Sequence, residues 1–492
     1  MNVRFVGYFL AGALPKLAMF LALFLLARHL DPAETGLFVL VITLGEVIEM
    51  TAGTWLRIYV LKAEAGRKTI GPYRVGRFLV LALAMLAMAL LVSLPIAAII
   101  APGRFWTFAG ATCAYIAAFA ALRHAHTVLQ ILESHVVFIL AEIARSLLIV
   151  ACVLGSLATW PTSFVAPSLL VSAATAATAV ISLLLVASRL HGPRFTLAGI
   201  QPAVIFGAPI IADVVMSLVI INFDRFVLNQ MIGPAAVGIY ALAYALGRQP
   251  IEFIAGPLNT YALPVLFAGY EHGGEERARQ ILTGLCITLF ILCAAVLTGI
   301  TLLEQPIANV ALRMEYRDAA GLLMPVITFA ACLLVFKAFI FDNVFHMLQK
   351  NDEKLASVAL ATGVGVAATI LLVYVAGING AAAALVLSSG VGLAASVYVS
   401  RRFFVFAIPL RHFAMIALAA SGSGVALSLA SWAVSAYGDG ARIGAGFLAF
   451  CLCYALMLKL QGISLKALAS TPWEPFDART GSERRPSDSN LR

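Results

Sequence analysis

The sequence predicts an all-α integral membrane protein with about fourteen spanning helices. Three observations predict it. The chain is 62% hydrophobic and only 12% charged, with a mean hydropathy of +0.97, where soluble domains run at about 45–50% apolar and about 25% charged. Its apolar residues fall in repeated blocks long enough to cross ~30 Å of hydrocarbon as helix. These blocks lack the alternation of barrel strands, and only helices or closed barrels satisfy their own backbone in lipid.

Taken in order, the first block covers 5–29 and is interrupted at Pro15-Lys16; it is too long for a cleaved signal and no small-residue cleavage site follows. The next five are 36–61, 78–101, 106–129, 136–157 and 165–187. A second group follows at 202–226, 237–264, 281–303, 321–347, 355–376 and 381–400, and a last pair at 412–435 and 443–460. The turn Gly377-Ile378-Asn379-Gly380 is short enough to join a tight helical hairpin, and no connection is long enough to fold as a domain. The expected organisation is a six-helix lobe over 1–200, a second six-helix lobe over 201–403, two further helices in 404–460 and a disordered cytoplasmic tail over 461–492. That tail carries Pro472, Pro475 and Pro486, with Trp473 placed to rest at the interface.

Charge placement sets the orientation. With the N-terminus inside, the cytoplasmic side collects 22 of the 33 basic residues, among them the Lys62–Arg77 cluster, Arg123, Lys350, Lys354, Arg401, Arg402 and Arg411. The other side receives six, namely Arg28, Arg104, Arg225, Arg313, Arg317 and Arg442. Such a split follows the positive-inside rule with both termini cytoplasmic, and it accounts for the net charge of +9 without nucleic acid. All seven cysteines lie inside apolar blocks, which is neither a disulfide framework nor a zinc spacing.

The chain also matches itself. Residues 24–45 (FLLARHLDPAETGLFVLVITLG) align without a gap to 226–247 (FVLNQMIGPAAVGIYALAYALG), with eight of twenty-two positions identical. The leucine matches carry little weight in so apolar a chain. The Pro-Ala-x-x-Gly match at Pro32/Pro234 and Gly36/Gly238 carries more, because it fixes a helix–helix corner. Both copies run in the same direction across the membrane, so the expectation is a parallel repeat, with alternating access by rocking of its halves.

At these residues the sequence resembles the oligosaccharide-lipid flippases, the polysaccharide transporter branch of the multidrug/oligosaccharidyl-lipid/polysaccharide (MOP) exporter superfamily. The matching pieces are GYFLAGALPKLAMFLALFLLARHLDPAETGLF, INFDRFVLNQMIGPAAVGIYALAYAL and YVAGINGAAAALVLS. The resemblance implies two six-helix bundles with extra C-terminal helices. It implies movement of an undecaprenyl-diphosphate-linked oligosaccharide from the inner to the outer leaflet of a bacterial plasma membrane, alongside a polysaccharide polymerase and chain-length proteins.

Charges within the spans are the candidate site residues, because a charge at mid-bilayer costs roughly 2.5–3.5 kcal/mol and usually faces a bundle interior or a wet cavity. The candidate cations are Arg248, Lys16, Arg57 and Lys337; Asp213, Glu252, Glu46, Glu49 and Asp342 are candidate ion-coupling groups or charge partners. Lys16 is too deep to snorkel easily. Glu46, Glu49, Gly53 and Arg57 share one helix face, and Arg57 is either a cavity cation or an arginine reaching the interface. Tyr240, Tyr244, Arg248 and Glu252 form a row on one span that Pro250 and Pro257 are expected to break. Arg248 meets substrate or pairs with Glu252. Lys337 meets substrate or bridges to Asp342 on a neighbouring helix, and Asp213 is a proton or sodium site or a partner for Arg248. Glu142 and Arg145, three apart, read as a structural pair. A diphosphate of about two negative charges needs fixed cations to replace its lost hydration.

No phosphate loop, HExxH or GxSxG motif is present. No cofactor, metal or catalytic residue is expected, with His124, His126, Glu133 and His135 read as interface residues at a turn. The alternatives are a cation-coupled exporter of drugs or metabolites and, third, a membrane polymerase, ligase or glycosyltransferase of surface polysaccharide. The latter needs outer loops that the short 304–320 connection does not supply.

Overall fold

The structure is a computed structural model that describes residues 3–64, 72–159, 162–190, 192 and 200–463; residues 464–492 of the expected tail, with Trp473, lie outside them. The regular elements are helices: α1 (Val3–Ala27), α2 (Pro32–Glu64), α3 (Pro72–Ile100), α4 (Phe105–Ile131), α5 (His135–Thr159), α6 (Val165–Leu185), α7 (Ile200–Met231), α8 (Pro234–Ala311), α9 (Met314–Phe336), α10 (Asp342–Met347), α11 (Asn351–Ser400), α12 (Leu410–Ala433) and α13 (Asp439–Leu460). A π-turn, Lys337–Phe341, carries α9 into α10. Among the described residues eleven stretches are long and apolar enough to cross a bilayer, and Gly12–Ala27 is a shorter apolar helix.

Two helices exceed one crossing. At 1.5 Å per residue, the 78 residues of α8 would extend ~117 Å and the 50 of α11 ~75 Å, several times the ~30 Å of hydrocarbon. Each is interrupted once, by a glycine in the left-handed region: Gly274 (φ 66°) in α8 and Gly377 (φ 60°) in α11. Only glycine enters that region without a Cβ penalty. The break in α11 falls in the expected hairpin turn. The break in α8 does not fall where the sequence reading puts it, because the backbone stays helical through Pro250 and Pro257.

The chain divides into two compact units, Met1–Leu242 with Thr369–Ala381, and Ala243–Ala368 with Ala382–Arg492. In the first, α2 packs against α3, α4 and α7, while α6 lies against α4 and α5, and α5 against α1. The buried face of α6 is built from small residues: Ser168, Ser172, Thr175 and Thr178 each turn a hydroxyl onto the carbonyl four residues back. A polar group so satisfied costs little in a dry interior and lets backbones approach closely. In the second unit α12 and α13 form a hairpin, and Tyr454 Oη of α13 donates to the Ile291 carbonyl of α8 at 3.0 Å.

The two Pro-Ala-x-x-Gly corners, at the starts of α2 and α8, meet each other. A Cβ on Gly36 would lie 1.8 Å from the Pro234 carbonyl oxygen, and one on Gly238 2.3 Å from that of Pro32. The contact is reciprocal and backbone to backbone. A second turn geometry also recurs. After α4, Glu133 sits at φ 50° with Ser134 N–H donating to Leu129 O at 2.9 Å; after α10, Gln349 sits at φ 57° with Lys350 N–H donating to Phe345 O at 2.8 Å. Both are Schellman ends, closing the last turn with a left-handed residue.

Backbone atoms cannot step aside as a flexible side chain does. Gly36→Ala and Gly238→Ala should each destabilise the protein by about 1–3 kcal/mol or more, the range of an overpacked core. Gly12→Ala, which meets nothing within 4 Å, should leave it unchanged. Thermal unfolding of the purified protein in detergent checks this.

Candidate functional site

In the first unit, charges from α2, α4 and α5 gather into one network. Glu49 Oε1 accepts from Arg57 Nη1 at 2.5 Å, its other oxygen accepts from Arg123, and Arg123 Nη2 reaches Glu46 Oε1 at 3.1 Å. Glu49 and Arg57 are eight residues apart, two turns along α2. Gly53 lies between them, and a Cβ there would come within 2.6 Å of Arg57 Nη1 and 3.0 Å of Glu49 Oε1. The face Glu46–Glu49–Gly53–Arg57 is therefore a groove for an internal ion pair, and Arg57 turns inward rather than to the interface. Arg123 is no free cytoplasmic-side cation either, since these carboxylates draw it into the interior. On α5, Arg145 Nη2 donates to Glu142 Oε2 at 2.6 Å, the pairing that their spacing predicts, and His126 Nε2 lies 3.0 Å from Glu142 Oε1. Phe119, stacked on Tyr115 at 4.1 Å, has Arg123 and Arg145 at 5.8 and 5.9 Å from its ring centre. Three arginines face three glutamates, so no net positive charge remains for an anion.

Lys16 is different. It is exposed on α1, and it has no ion pair or hydrogen bond among the described residues. Asp213, half-buried on α7, likewise has no partner among them. Elsewhere in this unit polar groups hold helix ends. Tyr240 Oη donates to the buried Asp224 at 2.6 Å. Asn229 and Gln230 at the end of α7 donate to the Ile100 and Ile99 carbonyls that close α3, at 2.9 and 3.0 Å. Glu34 accepts from Arg104 and from the Phe164 backbone N–H.

In the second unit, Arg248 Nε donates to Glu252 Oε1 at 2.5 Å and the guanidinium lies 5.2 Å from the Tyr244 ring centre. Its Nη1 is buried with no hydrogen-bond partner. Thr328 Oγ1 donates to the Gly247 carbonyl at 3.0 Å, one residue from the Leu246 carbonyl that Pro250 leaves without its helical donor.

Lys337 and Asp342 are buried and joined at 2.7 Å. The bridge is not between neighbouring helices, because both residues belong to one span. In an α-helix, residues five apart point to different faces; the π-turn over 337–341 carries an extra residue and brings them together. Asp342 Oδ1 also accepts from Ser396 at 3.0 Å, and Gly392 leaves room for the lysine stem, 3.3 Å from where its Cβ would be. Asn343 donates to Asn259 at 2.8 Å.

No group of three or more His, Cys, Asp or Glu able to hold a metal occurs among the described residues.

A family model described as polysaccharide biosynthesis protein matches residues 5–269 of the 492. The chain belongs to that family. No curated protein matches its sequence. Among solved structures it resembles a lipid II flippase, MurJ, in an inward closed conformation, with a TM-score of 0.71 at 12% identity over 94% of this chain and 100% of that one. A multidrug resistance MATE transporter of the MOP superfamily in an inward-facing conformation gives 0.61 at 15% identity, over 82% and 95%. A MOP-superfamily transporter from Pyrococcus furiosus gives 0.51 at 15% identity, over 81% and 94%. At such identities the likeness is one of fold. This member of the polysaccharide biosynthesis family is thus a multi-pass membrane protein whose fold resembles those of MurJ and the MATE transporter.

Removing one partner of a buried ion pair leaves an uncompensated charge and costs about 3–5 kcal/mol. Lys337→Met alone should destabilise by that amount, and Lys337→Met with Asp342→Asn should recover most of it. Thermal unfolding of the two variants in detergent measures the difference.

Proposed function

We propose that this protein is a flippase for an undecaprenyl-diphosphate-linked oligosaccharide, working by alternating access in the bacterial plasma membrane for surface polysaccharide synthesis. The observation that carries the reading is Lys16, a cation within a span and without a carboxylate among the described residues, while the other candidate cations each reach one. A diphosphate head group supplies the missing counter-charge. Arg248 is the second candidate, since its Nη1 is buried and unbonded while Glu252 holds Nε. Arg57 and Lys337 are neutralised by Glu49 and Asp342 and act as structural cations, with Glu46 holding Arg123. The family's link to polysaccharide biosynthesis supports a glycan cargo over a drug.

On this reading the chain has fourteen spans, six in each of two lobes divided near residue 200 and two more in 404–460, with both termini cytoplasmic. The glycine breaks in α8 and α11 support the count. The recurrent corners and Schellman ends support a parallel repeat. A polysaccharide polymerase and chain-length proteins are the expected partners. One observation favours a second reading, cation-coupled export: Asp213 is a carboxylate on a span with no partner among the described residues.

Deleting the gene should make an undecaprenyl-diphosphate oligosaccharide accumulate on the cytoplasmic leaflet and abolish the surface polymer. Lys16→Ala or Arg248→Ala, inserted at normal levels, should do the same. Unchanged glycans with altered sensitivity to cationic drugs would favour export and make Asp213→Asn the informative variant. Leaflet-resolved analysis of lipid-linked glycans decides between them.

A further inference from the structure

Between α11 and α12 the chain runs without helix, and its side chains alternate in and out. Phe404 and Phe406 are buried in the apolar core of the second unit, with Phe406 5.8 Å from the Phe341 ring, while Phe403 and Val405 are 38% and 60% exposed. Thr283 Oγ1 of α8 bonds the Ala407 carbonyl at 3.4 Å. The segment is therefore pinned, and it holds Arg401, Arg402 and Phe403 outward. The Schellman turn after α10 brings Lys350 to the same place, its Nζ 5.4 Å from the Phe403 ring centre. Arg402 lies 4.6 Å from the ring of Tyr398, itself 64% exposed, and donates to its hydroxyl at 2.8 Å.

Most arginines elsewhere in the described chain reach a carboxylate. Lys350, Arg401 and Arg402 reach none among the described residues, although Asp352 and Glu353 follow Lys350 in sequence. Three exposed cations without an anion thus adjoin exposed aromatic and aliphatic side chains on a fixed piece of backbone. Basic clusters at the end of a spanning helix attract anionic lipids, and amphipathic rings lie at head-group depth. We propose that the Lys350 turn and the 401–409 linker form a binding site for an anionic phospholipid, with its phosphate held by Lys350, Arg401 and Arg402 and its chains against Phe403 and Val405. The site uses neither Lys16 nor Arg248 and does not depend on what the protein carries.

The test reconstitutes the full chain in nanodiscs of phosphatidylglycerol and phosphatidylethanolamine in equal amounts, and counts the lipids retained by native mass spectrometry. The wild-type protein should retain phosphatidylglycerol preferentially. At about fivefold per cation removed, Lys350→Ala with Arg401→Ala and Arg402→Ala should bind it roughly a hundredfold more weakly. Removal of Arg313, Arg317 and Arg442 should leave retention unchanged. Equal retention of both lipids by the wild-type protein overturns the proposal without recourse to any variant. Unchanged phosphatidylglycerol retention in the triple variant overturns it as well. Displacement of the lipid by excess inorganic phosphate would reassign the site to a free phosphate.

Discussion

A charge inside a bilayer must be answered by another charge, and much of the polar architecture of this protein follows from that requirement. Glu49 answers both Arg57 and Arg123, Glu142 answers Arg145, and Asp342 answers Lys337. Each arrangement needs space as well as sign, which explains why Gly53 lies under the Glu49–Arg57 bridge and Gly392 beside the Lys337 stem. Such pairs add little net stability over apolar residues of the same volume, because desolvation consumes most of the attraction. Their effect is on register: Arg123 fits only if α4 presents it opposite both Glu46 and Glu49 of α2. Against this background of matched charge, an unmatched one gains meaning. Among the candidate charges in the described spans, Lys16 and Asp213 are what remains after the structural pairs have been taken out, and under the proposed function they are the groups left to meet a cargo or a coupling ion.

The helices were readable in the sequence because bilayer thickness imposes a length on them. The face Glu46–Glu49–Gly53–Arg57 was readable too, since helical spacing alone places those residues together. Arg123 was not, because its partners come from another helix and its sequence neighbours suggest a residue near a cytoplasmic end. Lys337 and Asp342 show a subtler failure. Helical periodicity sets residues five apart on different faces, so a bridge within one span is invisible until the π-turn is known. The break in α8 misled for a third reason. Prolines remove a donor, but in a packed membrane bundle neighbours satisfy nearby carbonyls, as Thr328 does at Gly247. A helix can therefore run through Pro250 and Pro257 and be interrupted only at Gly274, where the backbone conformation itself changes.

The self-match and the corner contact have one cause. If two copies of a segment are set against each other so that each proline carbonyl lies on the other's glycine, neither copy can lose its glycine without a clash with backbone. Identity is then kept at Pro32/Pro234 and Gly36/Gly238, where the copies touch. It fades along the rest of the helices, where any apolar residue of suitable size meets the demand of lipid or core. The Schellman ends, by contrast, recur as geometry with dissimilar residues, Glu133 and Gln349. A turn that only has to reverse the chain constrains conformation. A turn that has to receive its own copy constrains composition as well, and that second constraint is the one a sequence can display.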